Sequence, residues 1–292
     1  MARDLAARFP AARDCLAALD DALGFPLTRI MWDGPEEELQ RTLNTQPAIL
    51  AHSAAVLAVV SGRLGPVGGA AGHSLGEYTA YLAAGSLSSV DAVRLVRRRG
   101  ELMHQAGTQR PGAMAAVLGL DGDRVKEACA GASAGSEVAV AANLNAPDQT
   151  VISGDPGAVL RASDACKAAG AKRVMPLKVG GAFHSPLMAE ARAGLAAALA
   201  AVPMGEPRFP VVANATAAPV HDAREGRRLL EEQLTAPVRW VESMHCLGSL
   251  ASEATFLEIG PGSVLSGLLK RVRPDAEVRS LGTADEVERF LA

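Results

Sequence analysis

Gly72-His73-Ser74-Leu75-Gly76 is a small-x-Ser-x-small pentapeptide, the pattern of a nucleophile elbow. Such an elbow holds a serine on a strained turn between a strand and a helix. Small residues two positions either side let strand and helix approach without Cβ clashes. The flanks fit this arrangement. Residues 67–71 are a short run of small residues able to form a tightly packed strand, and LGEYTAYLAAG from Leu75 reads as a helix ended by Gly85. A Gly-x-Ser-x-Gly string alone is a weak signal. Between a strand and a helix it points to covalent chemistry at Ser74.

A serine nucleophile needs a base, and the chain has six histidines. His73 is adjacent to Ser74, but neighbours on a tight turn point apart, so it reads as structural or as lining the site. His52, His104, His221 and His245 lie in ordinary helix or loop patterns. His184 differs. It follows Gly180-Gly181 and precedes Ser185-Pro186, which reads as an N-cap with proline at the first helical position. The positive end of that helix would disfavour a second proton, leaving a neutral imidazole able to accept one.

Arg99 supplies the third chemical feature. At about 100° per residue along a helix, Ala92, Val93, Leu95, Val96, Gly100, Leu102 and Met103 share one side. Arg94, Arg97, Arg98 and Glu101 take the other, and Arg99 falls in the middle of the apolar side. A buried guanidinium is costly unless a carboxylate or dense hydrogen bonding meets it. Its neighbours three and four residues away are Leu95, Val96, Leu102 and Met103, none of them acidic. A substrate carboxylate would satisfy it through the bidentate geometry arginine favours. A structural ion pair with a distant Asp or Glu is the other reading.

The elements that must position these residues divide the chain by rhythm. Up to about Arg110 the pattern is helical, with helices predicted over residues 5–23, 36–42, 46–63 and 90–105. From Gly112 the units shorten: strand 113–118, helix 124–130, strands 138–143 and 149–153, helix 156–169 and strand 173–179. That β-α-β-β-α-β order is ferredoxin-like. A helix begins again near Gly181, and residues 209–214 and 255–259 read as buried strands of the first domain. The expected fold is α/β: an α/β-hydrolase-like large domain with a parallel sheet, formed by residues 1–111 and 181–292. A small ferredoxin-like α+β domain, residues 112–180, is inserted into it.

Composition limits the function classes. A length of 292 residues allows one large or two modest domains with a substantial core. Hydrophobic content of 49% with 3% aromatic means a core of Ala, Val and Leu. A net charge of −3 gives no reason to expect nucleic acid or an anionic membrane as partner. No uninterrupted apolar run approaches the roughly 18 residues of a membrane span. Charges follow Met1-Ala-Arg-Asp where a signal peptide would be apolar. Cys15, Cys129, Cys166 and Cys246 are scattered without paired zinc spacing, as expected of reduced structural cysteines in a cytoplasmic monomer.

Four segments occur in a telling order: Gly72-His73-Ser74-Leu75-Gly76-Glu77-Tyr78, Arg99-Gly100-Glu101-Leu102-Met103, Gly181-Ala182-Phe183-His184-Ser185 and Glu258-Ile259-Gly260-Pro261-Gly262. Together they resemble the malonyl-CoA:acyl carrier protein transacylases of fatty acid synthesis and the related acyltransferases of polyketide synthases. The resemblance runs from Met1 to about Leu269. It implies a two-step transfer in which Ser74 takes malonyl from malonyl-CoA and passes it to the pantetheine thiol of an acyl carrier protein. It implies His184 as base, oriented by a backbone carbonyl at Gln233 in place of a triad aspartate, and Arg99 on the malonyl carboxylate. No metal or redox cofactor is implied. Leu75 after the nucleophile and Phe183 before the histidine match malonyl-selective members, a bulky Phe183 leaving less room for an α-methyl branch. Gln46 and Asn145 match positions near the cleft between the domains, although a helix-cap or turn role suits both equally.

Two other readings use the same residues. A serine hydrolase of the thioesterase or lipase kind would draw its acid from Asp148 or Asp155 in the order Ser, acid, His. A truncated acyltransferase would dock a carrier protein without turning over. The second arises because members of the family open with a buried strand and a Gly-Gln-Gly-Ser-Gln loop whose glutamine N–H completes the oxyanion hole. Met1-Ala-Arg-Asp-Leu-Ala-Ala-Arg-Phe-Pro matches the helix just beyond that loop, and the loop occurs nowhere in the 292 residues. The expectation is that Met1 is an internal methionine, that the functional protein is longer, and that an unpaired strand edge marks the gap.

Overall fold

The computed structural model describes residues 1–292. Proline sets the first departure from the sequence reading. The single helix expected over residues 5–23 is two, Arg3–Arg8 and Pro10–Leu23, because Phe9 is extended ahead of Pro10, which opens the second helix. Helix Thr42–Val60 is buried along most of its length and packs against Pro10–Leu23 and against Ser89–Gln109. With the turn that follows, to Arg63, it is long and apolar enough to cross a membrane, although the sequence reading found no such segment. Of its apolar window 72% is buried inside the chain, the position of a core helix.

The strands, in chain order, are β1 (Ala70–Ala71), β2 (Ala113–Leu118), β3 (Ala139–Ala146), β4 (Gln149–Gly154), β5 (Arg173–Pro176), β6 (Val211–Val212), β7 (Pro219–Val220), β8 (Phe256–Ile259) and β9 (Val278–Leu281). The protein is a mixed α/β structure with several sheets. In the large region β1 pairs in parallel with β6, which pairs antiparallel with β7, while β8 and β9 form a separate parallel pair. A parallel sheet was expected there; the ladders at 67–71 and 209–214 shrink to two residues each, and β6–β7 is antiparallel. Gly68 and Gly69 add no side chain to pack, and Pro210 offers no N–H to a ladder. β1 is bonded on one side only, to β6, and β8 on one side only, to β9.

Between Ala113 and Pro176 the elements run β2, helix Gly122–Ala132, β3, β4, helix Pro156–Ala168, β5. The sheet order is β3-β4-β2-β5, antiparallel throughout. Val117, Val125, Ile152, Ala162 and Cys166 close a core of their own, separate from the 39-residue core of the helical region. β3 runs three residues past its predicted end, and there it meets the other region. Leu144 N–H donates to Val238 O at 2.9 Å, and Val238 N–H to Ala142 O at 2.8 Å. Val238 follows Gln233 by a few residues, so the β3-β4-β2-β5 sheet is stitched to the segment that orients the candidate base.

Candidate active site

The turn between β1 and helix Gly76–Ala83 places Ser74 at φ 53°, a left-handed conformation that non-glycine residues avoid. Gly72 makes it possible: a Cβ there would sit 1.9 Å from the carbonyl carbon and oxygen of Gly76. Gly76 is different. A Cβ at Gly76 would meet nothing within 4 Å, so only one of the two flanking glycines is sterically required. Strain at Ser74 is held by bonds on both sides of the residue. Ser74 N–H donates to Asn214 Oδ1 at 2.7 Å, Asn214 Nδ2 to Gly72 O at 2.7 Å, and Gln233 Nε2 to Ser74 O at 3.0 Å. The Leu75 N–H, next along the chain, has no acceptor within the protein.

His184 meets the serine from the far side of the chain. Its Nε2 lies 2.8 Å from Ser74 Oγ and its Nδ1 2.9 Å from the Gln233 carbonyl oxygen. A carbonyl only accepts, so Nδ1 carries the hydrogen and Nε2 is free to take the serine proton. Ser185 caps as predicted, accepting from Leu187 N–H at 3.2 Å, although the turn it opens is the 3₁₀ segment Pro186–Met188 ahead of helix Ala189–Ala201. Burial pushes the His184 pKa down to about 3, with the Arg99 charge adding to it and the Gln233 carbonyl opposing. Burial and the Arg99 charge thus favour the neutral imidazole that the sequence led one to expect. His73 turns away: its Nε2 is 2.8 Å from Asn145 Oδ1 and its ring 5.4 Å from that of Trp240.

Arg99 is 1% exposed and forms no ion pair within the chain. Its guanidinium is met by neutral oxygens instead. Nη1 donates to Gln46 Oε1, and Nη2 donates to Ser74 Oγ and to Gln233 Oε1, both at 2.9 Å, while Nε has no partner. The structural ion pair entertained from sequence is absent, and the cation lies against the nucleophile. Gln46, inside helix Thr42–Val60, belongs to the site through Arg99. Phe183 is half-buried, between the helical core and the cluster of Met114, Ala116, Ala142 and Val151 in the inserted sheet. Asn145 bonds His73, the residue before the nucleophile, and makes no hydrogen bond to Ser74 or Arg99. Asp148 pairs with Arg271 and Asp155 with Arg110, leaving neither to serve His184 as a hydrolase acid.

Three functional groups escaped the sequence reading. The Gln233 side chain, discounted because its carbonyl acts, bonds Arg99, Ser74 O and Glu77. Glu77, wholly buried, accepts from Gln233 Nε2 at 2.7 Å and Asn214 N–H at 3.0 Å through one oxygen. Burial raises its pKa to about 7 against the pull of those two donors and Arg99. Helix geometry would have exposed it, since Ala80, Tyr81 and Ala84 share its face, the same test that singled out Arg99. Asn214 had no comparable signal, because its partners lie more than 130 residues away in sequence.

A neutral imidazole on a strained serine, beside a carboxylate-seeking arginine, defines a serine acyl-transfer enzyme. The acyl transferase domain family matches residues 1–285, and the chain belongs to that family. Among known relatives it is 40% identical to the malonyl CoA-acyl carrier protein transacylase of Haemophilus influenzae, spanning 100% of this chain and 94% of the relative. It is 42% identical to that of Escherichia coli over 93% of this chain and 88% of the relative. A crystal structure of an acyl carrier protein S-malonyltransferase from Vibrio cholerae superposes with a TM-score of 0.94 at 38% identity, covering 99% of this chain and 94% of the other. A type II PKS acyl-carrier protein complex with its malonyl-transacylase gives 0.93 at 40% identity, covering 100% and 94%.

Proposed function

We propose that this acyltransferase moves malonyl from malonyl-CoA to the phosphopantetheine thiol of an acyl carrier protein through malonyl-Ser74. The observation that carries the reading is Arg99, a buried cation without a carboxylate partner, bonded to the nucleophile itself. An acyl group with a free carboxylate is the substrate that satisfies it. A plain fatty acyl group, the substrate of a thioesterase or lipase, leaves the charge unmet.

In the first half-reaction His184 Nε2 takes the Ser74 proton as Oγ attacks the malonyl thioester carbonyl. The oxyanion meets the free Leu75 N–H. Collapse of the tetrahedral intermediate expels coenzyme A, whose sulfur receives the proton from His184. Malonyl-Ser74 remains, its carboxylate on Arg99, which gives up its bond to Ser74 Oγ. In the second half the carrier thiol gives its proton to His184, attacks the ester and releases Ser74, which is reprotonated by the same imidazole.

Selectivity for malonyl over branched acyl groups falls to Leu75 and Phe183, and one methyl is worth about 1–3 kcal/mol. The domain assignment is residues 1–111 with 181–292 around an inserted 112–180. The separate apolar cores support it, and the β3-β4-β2-β5 order supports a ferredoxin-like insert. The large region is read as α/β-hydrolase-like on its strand–elbow–helix unit and the parallel pairs β1–β6 and β8–β9.

Brief exposure to malonyl-CoA followed by intact-protein mass spectrometry tests the function. The wild type gains one malonyl group, Ser74→Ala gains none, and His184→Ala acylates more slowly by a factor on the order of 10²–10⁴. An adduct that survives in Ser74→Ala refutes the assigned nucleophile.

A further inference from the structure

Glu77 touches no reacting atom in the mechanism above, yet both sides of the site converge on it. Its Oε2 accepts from Gln233 Nε2 at 2.7 Å and from Asn214 N–H at 3.0 Å. Each of those donors has a second hold on the chemistry. Gln233 passes its Oε1 to Arg99 Nη2 at 2.9 Å and donates from Nε2 to Ser74 O at 3.0 Å. Asn214 accepts the Ser74 N–H at 2.7 Å and donates to Gly72 O at 2.7 Å. Glu77, Gln233 and Asn214 are each 0% exposed, so their hydrogen bonds are made to protein groups and losing a partner leaves a buried polar atom unpaired.

Resting on the malonyl-transfer reading, we propose that Glu77 is the positioning residue of this site. One carboxylate oxygen anchors the Gln233 amide that aims Arg99 at the substrate carboxylate, and the Asn214 backbone whose side chain braces the Ser74 turn. Both acceptor contacts of Gln233 Nε2 are needed because the amide works as a relay. Its oxygen faces a guanidinium, which only donates, and its nitrogen faces a carboxylate and a carbonyl, which only accept. Removing the carboxylate leaves the relay held by its longer bond alone, and Arg99 loses a fixed acceptor. The role needs an acceptor at the Glu77 Oε2 position rather than a charge. A glutamine there can present its oxygen to both donors, and its nitrogen then takes the place of Oε1, which has no partner.

The experiment compares kcat/KM for malonyl-CoA and acetyl-CoA, with Ser74 acylation followed by mass spectrometry in each protein. Glu77→Ala should lower the malonyl-to-acetyl ratio at least tenfold, whereas Glu77→Gln should keep it within about threefold of wild type, an acceptor being retained. Gln233→Met preserves the backbone carbonyl for His184 and removes the relay amide, and should lower the ratio as Glu77→Ala does. It carries the test if Glu77→Ala does not fold. Equal losses for both substrates in Glu77→Ala, or a ratio unchanged in Gln233→Met, would show a merely structural residue. A Glu77→Gln protein as unselective as Glu77→Ala overturns the acceptor role. Failure of the wild type to form malonyl-Ser74 refutes the malonyl-transfer reading and is a separate result.

Discussion

Replacing Arg99 by alanine isolates the interaction that sets the substrate. The guanidinium is 1% exposed, so a malonyl carboxylate reaching it is desolvated and meets two N–H donors in a plane. Hydrogen bonds to charged groups contribute about 1.5–3 kcal/mol each, so two of them amount to ~3–6 kcal/mol. Arg99 surrenders its bond to Ser74 Oγ when the carboxylate arrives, which favours the lower end. About 3 kcal/mol corresponds to roughly 10²-fold in kcat/KM, at 1.4 kcal/mol per tenfold. Acetyl has no carboxylate to lose. The Arg99 charge also depresses His184, so its removal makes the base stronger. Arg99→Ala should therefore lower kcat/KM for malonyl-CoA by at least ~10² while leaving acetyl-CoA unchanged or improved. Arg99→Lys should fall between, retaining the charge without the bidentate fork. Both constants are measured with carrier protein as acceptor, alongside a thermal melt to confirm folding. An equal fall for malonyl and acetyl refutes the argument, since the arginine would then be supporting the fold.

Gly72→Ala should be severely destabilising, with soluble yield and melting temperature both reduced, because its Cβ would lie 1.9 Å from Gly76 backbone atoms; Gly76→Ala, with open space around it, should melt close to wild type. Acid stability should reveal the depressed imidazole. His184 is neutral in the folded protein down to about pH 3, whereas the unfolded chain binds that proton below about 6.5, so its contribution is present above 6.5 and lost as pH falls toward 3. Denaturant melts of wild type against His184→Gln should diverge by up to ~1.4 kcal/mol per pH unit below 6.5 in favour of the variant. Glu77, raised to about 7, acts with the opposite sign between its unfolded value and 7, and it cancels in this comparison because both proteins carry it.

Much of the chemistry was legible because local rules governed it. The elbow needed only a pentapeptide and its flanks, Arg99 only the 100° step of one helix, and the cap at Ser185 only two adjacent residues. The β2–β5 region was readable because each element is short, bounded by Gly, Asp or Pro, and paired within 70 residues. Family resemblance, not spacing, supplied the Gln233 carbonyl and the identity of the acyl group. What the sequence left open depended on distant approach. Phe9 and Pro10 divided one helix into two, and the ladders at Ala70–Ala71 and Val211–Val212 were shorter than their apolar runs. Asn145 turned to His73, a contact across 72 residues that no periodicity encodes. Two further causes that favour a neutral His184, its burial and the nearness of Arg99, could not be read locally because they exist only once distant segments meet. Sequence determined which side chains could react. Tertiary structure decided which of them share hydrogen bonds, and so joined Glu77, Asn214, Gln233, Arg99, Ser74 and His184 into one buried network where each polar group's partner comes from another part of the chain.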